Sequence, residues 1–154
     1  MATPARWIRV DAEDGRGLRA ACAGFARAQS DRSAPAVLWA RAGVALVAPH
    51  KFAPGRASRW GSWGLSPLIA AFRQAGLRAY LDEDGIWLSG RRIASSEAWA
   101  ESACVVVTAG FAPPGGRFLD CLRERIESQH GWQFDHCWPS SAEKEAMLER
   151  VSAH

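Results

Sequence analysis

Apolar and polar residues alternate at Trp7-Ile8-Arg9-Val10, which predicts a strand near the start of the chain. From Asp14 to about Gln29 the pattern changes. Leu18, Ala21, Cys22 and Phe25 recur at helical spacing and make one apolar stripe, and Ser33 and Pro35 break that helix. The run AVLWARAGVALVAP then predicts two apolar strands, Val37–Trp39 and Val44–Val47, joined around Gly43. A loop, PHKFAPGRASRWGSWG, spans Pro49 to Gly64. Ser66-Pro67 predicts the next helix start, a capping hydroxyl followed by proline in the first turn. Leu68, Ile69 and Phe72 form its buried face, and Gly76 ends it.

Leu77, Ala79 and Leu81 alternate as one face of a further strand. Asp82–Gly85 turns the chain into Ile86-Trp87-Leu88, and Ser89-Gly90 turns it again. Arg91–Ser96 and Cys104–Phe111 predict two more strands. A loop at Pro113–Gly116 precedes a helix over Phe118–His130, with Phe118, Leu122 and Ile126 on its face and Gly131 as its stop. Ser140 and Glu143 have the spacing of a capping box for a last helix carrying Met147, Leu148 and Val151. No segment repeats. Hairpin-linked strands with helices between them predict a single α+β domain over residues 1–154, an antiparallel or mixed sheet covered by helices on one face.

Composition narrows the function classes. The chain has 154 residues, 48% hydrophobic and 23% charged, as a globular domain does. Nineteen basic residues stand against 16 acidic ones, a balance that does not demand a nucleic-acid partner. The longest apolar run, Ala103–Val107, is too short to cross a membrane. The first residues lack the apolar core of a signal peptide, so the expected location is the cytoplasm, where four cysteines stay reduced. No Cys-x-x-Cys pair occurs. His136-Cys137, with Cys121 and His130 nearby, matches no common metal-site spacing, so no metal is expected.

The stretch GIWLSGRRIASS, Gly85–Ser96, resembles the strand-turn-strand of the lipoate–protein ligase and biotin–protein ligase family. In that family a run Asp-x-x-x-x-Gly-Arg-Lys-Ile-Ala-Gly-Ser carries the lysine that contacts the acyl-adenylate. APAVLWARAGVALVAPHKF is similar to the family's early pair of strands, and ACVVVTAGF sits where the family has its His-Gly-Thr-Leu-Leu-Leu strand. The likeness runs from Trp7 to Leu148 in order of elements. It implies the fold of the biotin/lipoate ligase catalytic domain, with ATP and magnesium as cofactors if the chain is an active ligase. Three departures stand out. Arg92 takes the lysine position, Ser95 takes that of the following glycine, and the family's Arg-Arg-x-Ser-Gly-Gly-Gly segment and the strand after it are missing. RASRWGSWGLSP stands there instead. A guanidinium is longer and more planar than an ammonium, and phosphate binding needs free backbone amides. The resemblance with its departures therefore implies a ligase-like domain without adenylation activity. Such a domain binds a small acyl or carboxylate ligand, or a partner such as an acyl-carrier (lipoyl or biotinyl) domain.

The candidate ligand-binding residues are Arg59, Trp60 and Trp63 from the loop and Gly90, Arg91, Arg92, Ser95 and Ser96 from the hairpin. Trp60 and Trp63 are expected either to fill the space that an active ligase leaves for its ligand or to pack over the helix at Ser66. Arg91 and Arg92 should point to opposite faces of their strand. One reading has one of them solvated and the other paired with a local carboxylate such as Glu97 or Asp84; the other turns Arg92 into the pocket to bind a carboxylate or phosphate. Cys104 in a strand and Cys121 on a helix read as inert core thiols, and Cys137 points away from its neighbour His136. No catalytic residue is assigned. Two other functions stay open: an active but diverged ligase or acyltransferase, and a nucleic-acid-binding module using the Arg56–Trp63 loop, where cations and aromatic faces mix.

Overall fold

The continuous apolar runs of the sequence become the centre of one sheet, where a strand buried on both sides needs apolar residues at every position. The computed structural model describes residues 2–82, 85–114 and 117–152, the last four through the backbone alone. The elements follow in the order β1 (Thr3–Arg9), α1 (Gly15–Arg27), β2 (Ala36–Ala40), β3 (Gly43–Pro49), α2 (Trp60–Gln74) and β4 (Tyr80–Asp82). After them come β5 (Gly85–Leu88), β6 (Arg91–Glu101), β7 (Cys104–Gly110), α3 (Phe118–His130), β8 (Trp132–Cys137) and α4 (Ser141–Ser152). Their spatial order in the sheet is β4-β5-β6-β7-β3-β2-β1-β8. β1 runs parallel to both β2 and β8, and every other pairing is antiparallel. The sheet is mixed, as the sequence predicts.

Helices cover both faces, not one. In β3, Val44, Leu46 and Ala48 join the core under α2 and α3, while Ala45 and Val47 join the core under α1. β7 divides in the same way: Val105, Val107 and Ala109 face α2 and α3, and Cys104 and Val106 face α1. α4 packs beside α1, and its Met147 closes that side.

Several predicted boundaries move. Ser66-Pro67 does not start α2; both residues lie inside it, and the helix begins at Trp60. Pro67 has no N–H to give the carbonyl four residues back, that of Trp63. The predicted strand Leu77–Leu81 shortens to Tyr80–Asp82, because its first half is held by α2. Phe72 accepts a hydrogen bond from the Leu77 N–H at 2.9 Å, and the Arg73 guanidinium donates to the Ala79 carbonyl at 3.0 Å. β6 extends past Ser96 to Glu101 along β7. β8 was not predicted. Leu148 of the last helix is 67% exposed. Glu83-Asp84 of the predicted turn, Gly115-Gly116 of the predicted loop and the Val151 side chain lie outside the described residues.

The Ser89-Gly90 turn is as predicted, with both residues left-handed (φ 53° and 77°), the conformation that matches the twist of a two-residue hairpin. It fixes the register of β5 on β6. That register shifts once between Ile86 and Trp87, so Arg92 opposes Trp87 while Ala94 opposes Ile86. The shift lets Arg92 and Ser95 share one face although they are three residues apart.

Candidate functional site

Asp14 caps α1 by accepting a hydrogen bond from the Gly17 N–H at 2.7 Å. This fixes the first turn of the helix over the ends of β6 and β7, and a cleft of about 370 Å³ opens between them. Arg16, Leu18 and Arg19 come from α1; Arg92, Ser95 and Glu97 come from β6; Thr108 and Gly110 form the floor from β7. Gly110 pairs with Ser95, and a side chain at Gly110 would lie 2.7 Å from the Ser95 hydroxyl oxygen. A side chain at Gly110 would make the Ser95 hydroxyl rotate away from its present place.

Charge defines this cleft. Three guanidinium groups line it, and the one described carboxylate among them is Glu97, whose Oε1 lies 2.6 Å from Nη1 of Arg19. Both partners are nearly half exposed, so water screens the pair and it contributes little to stability. Thr108 is the unusual member. It is 4% exposed, one of two buried polar residues among those described, and its hydroxyl is not one of the buried atoms left without a partner. The other, Glu143, is fully engaged elsewhere.

Three of the residues singled out by sequence meet here: Arg92, Ser95 and Ser96. Gly90 and Arg91 sit at the exposed hairpin end beside the cleft. Arg59, Trp60 and Trp63 do not join them. They belong to the start of α2, and the two tryptophans pack on the opposite face of the sheet. The Trp60 indole N–H donates to the Pro54 carbonyl at 2.8 Å, and its ring meets that of His50 edge-on. Trp63 stacks at 5.1 Å on His130, which in turn lies 5.0 Å from Trp132. Burial lowers the His130 pKa, and a hydrogen bond to the Trp63 backbone, whose carbonyl Pro67 leaves free, opposes the shift. Both rings are partly exposed, and neither lines the cleft beside Arg92.

The glycines of that segment also have a different use from a phosphate cradle. Trp60–Gly64 is helical, and a Cβ at Gly64 would lie 2.8 Å from the Val107 side chain. Gly64 lets α2 cross close to β7. Between β3 and α2 run two single turns of 3₁₀ helix, His50–Phe52 and Ala57–Arg59, separated by the irregular residues 53–56. This stretch holds one glycine, Gly55, and not the run of three glycines of the family's phosphate segment.

The cysteines and histidines disperse. Burial pushes Cys22 up to about 12 and Cys104 to about 11, so neither supplies a thiolate near neutrality. Cys121 donates to Gln74 Oε1 at 3.1 Å, Cys137 to the Asp135 carbonyl at 3.4 Å, and His136 Nε2 faces Arg123 at 2.8 Å. Among the described residues, no three of His, Cys, Asp and Glu converge as metal ligands.

Sequence inspection missed Arg16, Arg19 and Thr108 as cleft residues. A signal for each was present. The two arginines are three apart in the first turn of a helix, hence on one face, and Thr108 is the single polar residue in an otherwise apolar strand.

No protein-family model and no curated protein matches the sequence. Solved structures do match the fold. The bipartite lipoate–protein ligase of Thermoplasma acidophilum, described with its E2 lipoyl domain, superposes with a TM-score of 0.81 at 8% identity, over 97% of this chain and 92% of that one. A lipoate–protein ligase A bound with ATP gives 0.77 at 9% identity, over 97% and 94%. The biotin acetyl coenzyme A carboxylase synthetase of Helicobacter pylori, bound to biotinylated ATP, gives 0.51 at 10% identity, over 97% and 74%. Among the described residues no helix is long and apolar enough to cross a membrane. With its mixed eight-stranded sheet and four helices, this chain has the fold of the lipoate– and biotin–protein ligase catalytic domains.

Proposed function

We propose that the chain is a ligase-fold binding domain that holds a small carboxylate-bearing ligand in the cleft between α1 and β6–β7 and does not adenylate it. One observation carries the reading: Arg16, Arg19 and Arg92 line one small cleft together with the hydroxyl-bearing Ser95, Ser96 and Thr108. Guanidinium groups and hydroxyls are the donors that recognise carboxylates. The loss of adenylation rests on what stands in place of the ligase machinery. Arg92 occupies the lysine position of the family resemblance, Ser95 that of a glycine, and α2 begins where a phosphate loop is needed.

A second reading, a diverged but active ligase, draws on the likeness along nearly the whole chain to an ATP-bound lipoate–protein ligase. Pyrophosphate release with ATP and lipoate, octanoate or biotin separates the two. Neither the wild type nor Arg92→Lys is expected to turn over. Lysine restores a compact charge but not backbone donors, each worth about 10²–10³ in rate. Turnover by the wild type, or transfer of the acyl group to a lipoyl domain seen as a mass shift, would establish the second reading.

A further inference from the structure

The lining of the cleft restricts the ligand beyond its carboxylate. Leu18 is the one large apolar side chain there; the remainder is arginine, glutamate, hydroxyls and glycine. A long acyl tail would lie against guanidinium groups and water, and each methylene so placed loses the burial that drives acyl binding. The cleft already contains a carboxylate in contact with an arginine, that of Glu97 on Arg19, and the pair is exposed enough to exchange. Building on the binding function proposed above, we infer that the ligand is a short hydroxycarboxylate rather than an acyl chain. Its carboxylate displaces Glu97 from Arg19, and one of its oxygens meets the Thr108 hydroxyl.

Each part of this arrangement has its own observation. Glu97 is the resident competitor: it opposes Thr108 across β6 and β7, so the two side chains share the cleft face. Thr108 is the donor on the floor: its hydroxyl lies on an otherwise apolar strand and lines the cleft, where a ligand oxygen can pair with it. Gly110 and Ser95 keep the floor low enough for a small polar molecule to reach that hydroxyl.

Calorimetric titration of the full chain with lactate, malate and citrate, and with octanoate for comparison, tests the inference. At least one hydroxycarboxylate is expected to bind more tightly than octanoate. Glu97→Gln removes the competitor and tightens that binding by about three- to fivefold, the value of an exposed ion pair. Thr108→Val weakens it by about tenfold, the loss of one hydrogen bond to a charged group. Thr108→Ser keeps the hydroxyl and holds the wild-type affinity; equal weakening by Ser and by Val would show that the threonine acts through packing alone and would overturn its contact with the ligand. Octanoate bound more tightly than every hydroxycarboxylate, and weakened by Thr108→Val, would overturn the inference while the carboxylate-binding function stands. Unchanged hydroxycarboxylate affinity in Glu97→Gln would overturn the displacement of Glu97. No carboxylate bound by the wild type or by Glu97→Gln would overturn the binding function itself.

Discussion

Glu143 joins three parts of the chain through a single carboxylate. It accepts hydrogen bonds from Arg6 at 2.7 and 2.8 Å, from Gln29 at 2.6 Å and from the Ser140 N–H at 2.8 Å. Desolvation alone would raise its pKa, but these donors outweigh it and hold the carboxyl at about 2, against a reference of 4.5. The native pKa is depressed, so the stabilisation is fully present above about pH 4.5 and is lost as the pH falls toward 2. A shift of this size corresponds to roughly 3 kcal/mol. Urea unfolding between pH 6 and 3 should therefore show a decline in stability that Glu143→Gln largely abolishes, leaving a variant already weaker by a similar amount at pH 6. The local half of this arrangement was readable: Ser140 and Glu143 have capping-box spacing, and the box forms. Its partner Arg6 lies 137 positions away and leaves no periodic trace. The cleft behaves in the same way. Arg92, Ser95 and Ser96 were legible because they share one short motif, whereas Arg16, Arg19 and Thr108 reach the site only through the packing of α1 on β7.

Among the elements, α1 and α3 were legible almost to the residue, since a stripe of large apolar side chains and a left-handed stop at Gly131 are local signals. α2 was not, because a Ser-Pro pair that resembles a helix start lies within the helix and the true first turn is rich in glycine and tryptophan. Cover on the second face of the sheet was signalled by strands without alternation, AVLWA and CVVV, which bury both sides. The α1–α4 contact depends on Gly24. A Cβ there would lie 2.4 Å from the Ala146 carbonyl oxygen and 2.8 Å from the Met147 Cα, both backbone atoms that cannot rotate away. Gly24→Ala should improve helix propensity by about 1 kcal/mol yet force α4 off α1, at an overpacking cost of about 1–3 kcal/mol. The expected net result is destabilisation of about 1 kcal/mol with increased protease cleavage in α4. A variant as stable as the wild type would show that α4 yields at no cost.

For the molecule as a whole, the aromatic residues divide between layers. Trp7, Trp63 and Trp132 belong to the α2–α3 face, Trp99 packs on the α1 face, and Trp138 is 81% exposed. With α1, α2 and α3 packed on one continuous sheet and α4 packed on α1, the chain is expected to unfold as a single cooperative unit. Urea transitions followed by tryptophan emission, weighted to the first face, and by far-ultraviolet circular dichroism should coincide; separate midpoints would mean that the two layers are independent. The sheet order also sets a timetable. β1 is flanked by β2 on one side and by β8 on the other, in register from Thr3 with Trp132 to Ile8 with Cys137. During synthesis at about 5–20 residues per second, the ribosome needs on the order of ten seconds to make the residues between those two strands. For that interval the outer edge of β1 presents unpaired amides and carbonyls, and Arg6 has no carboxylate to meet. A nascent chain of this design is most vulnerable to wrong strand partners early, before the last strand emerges to cover β1.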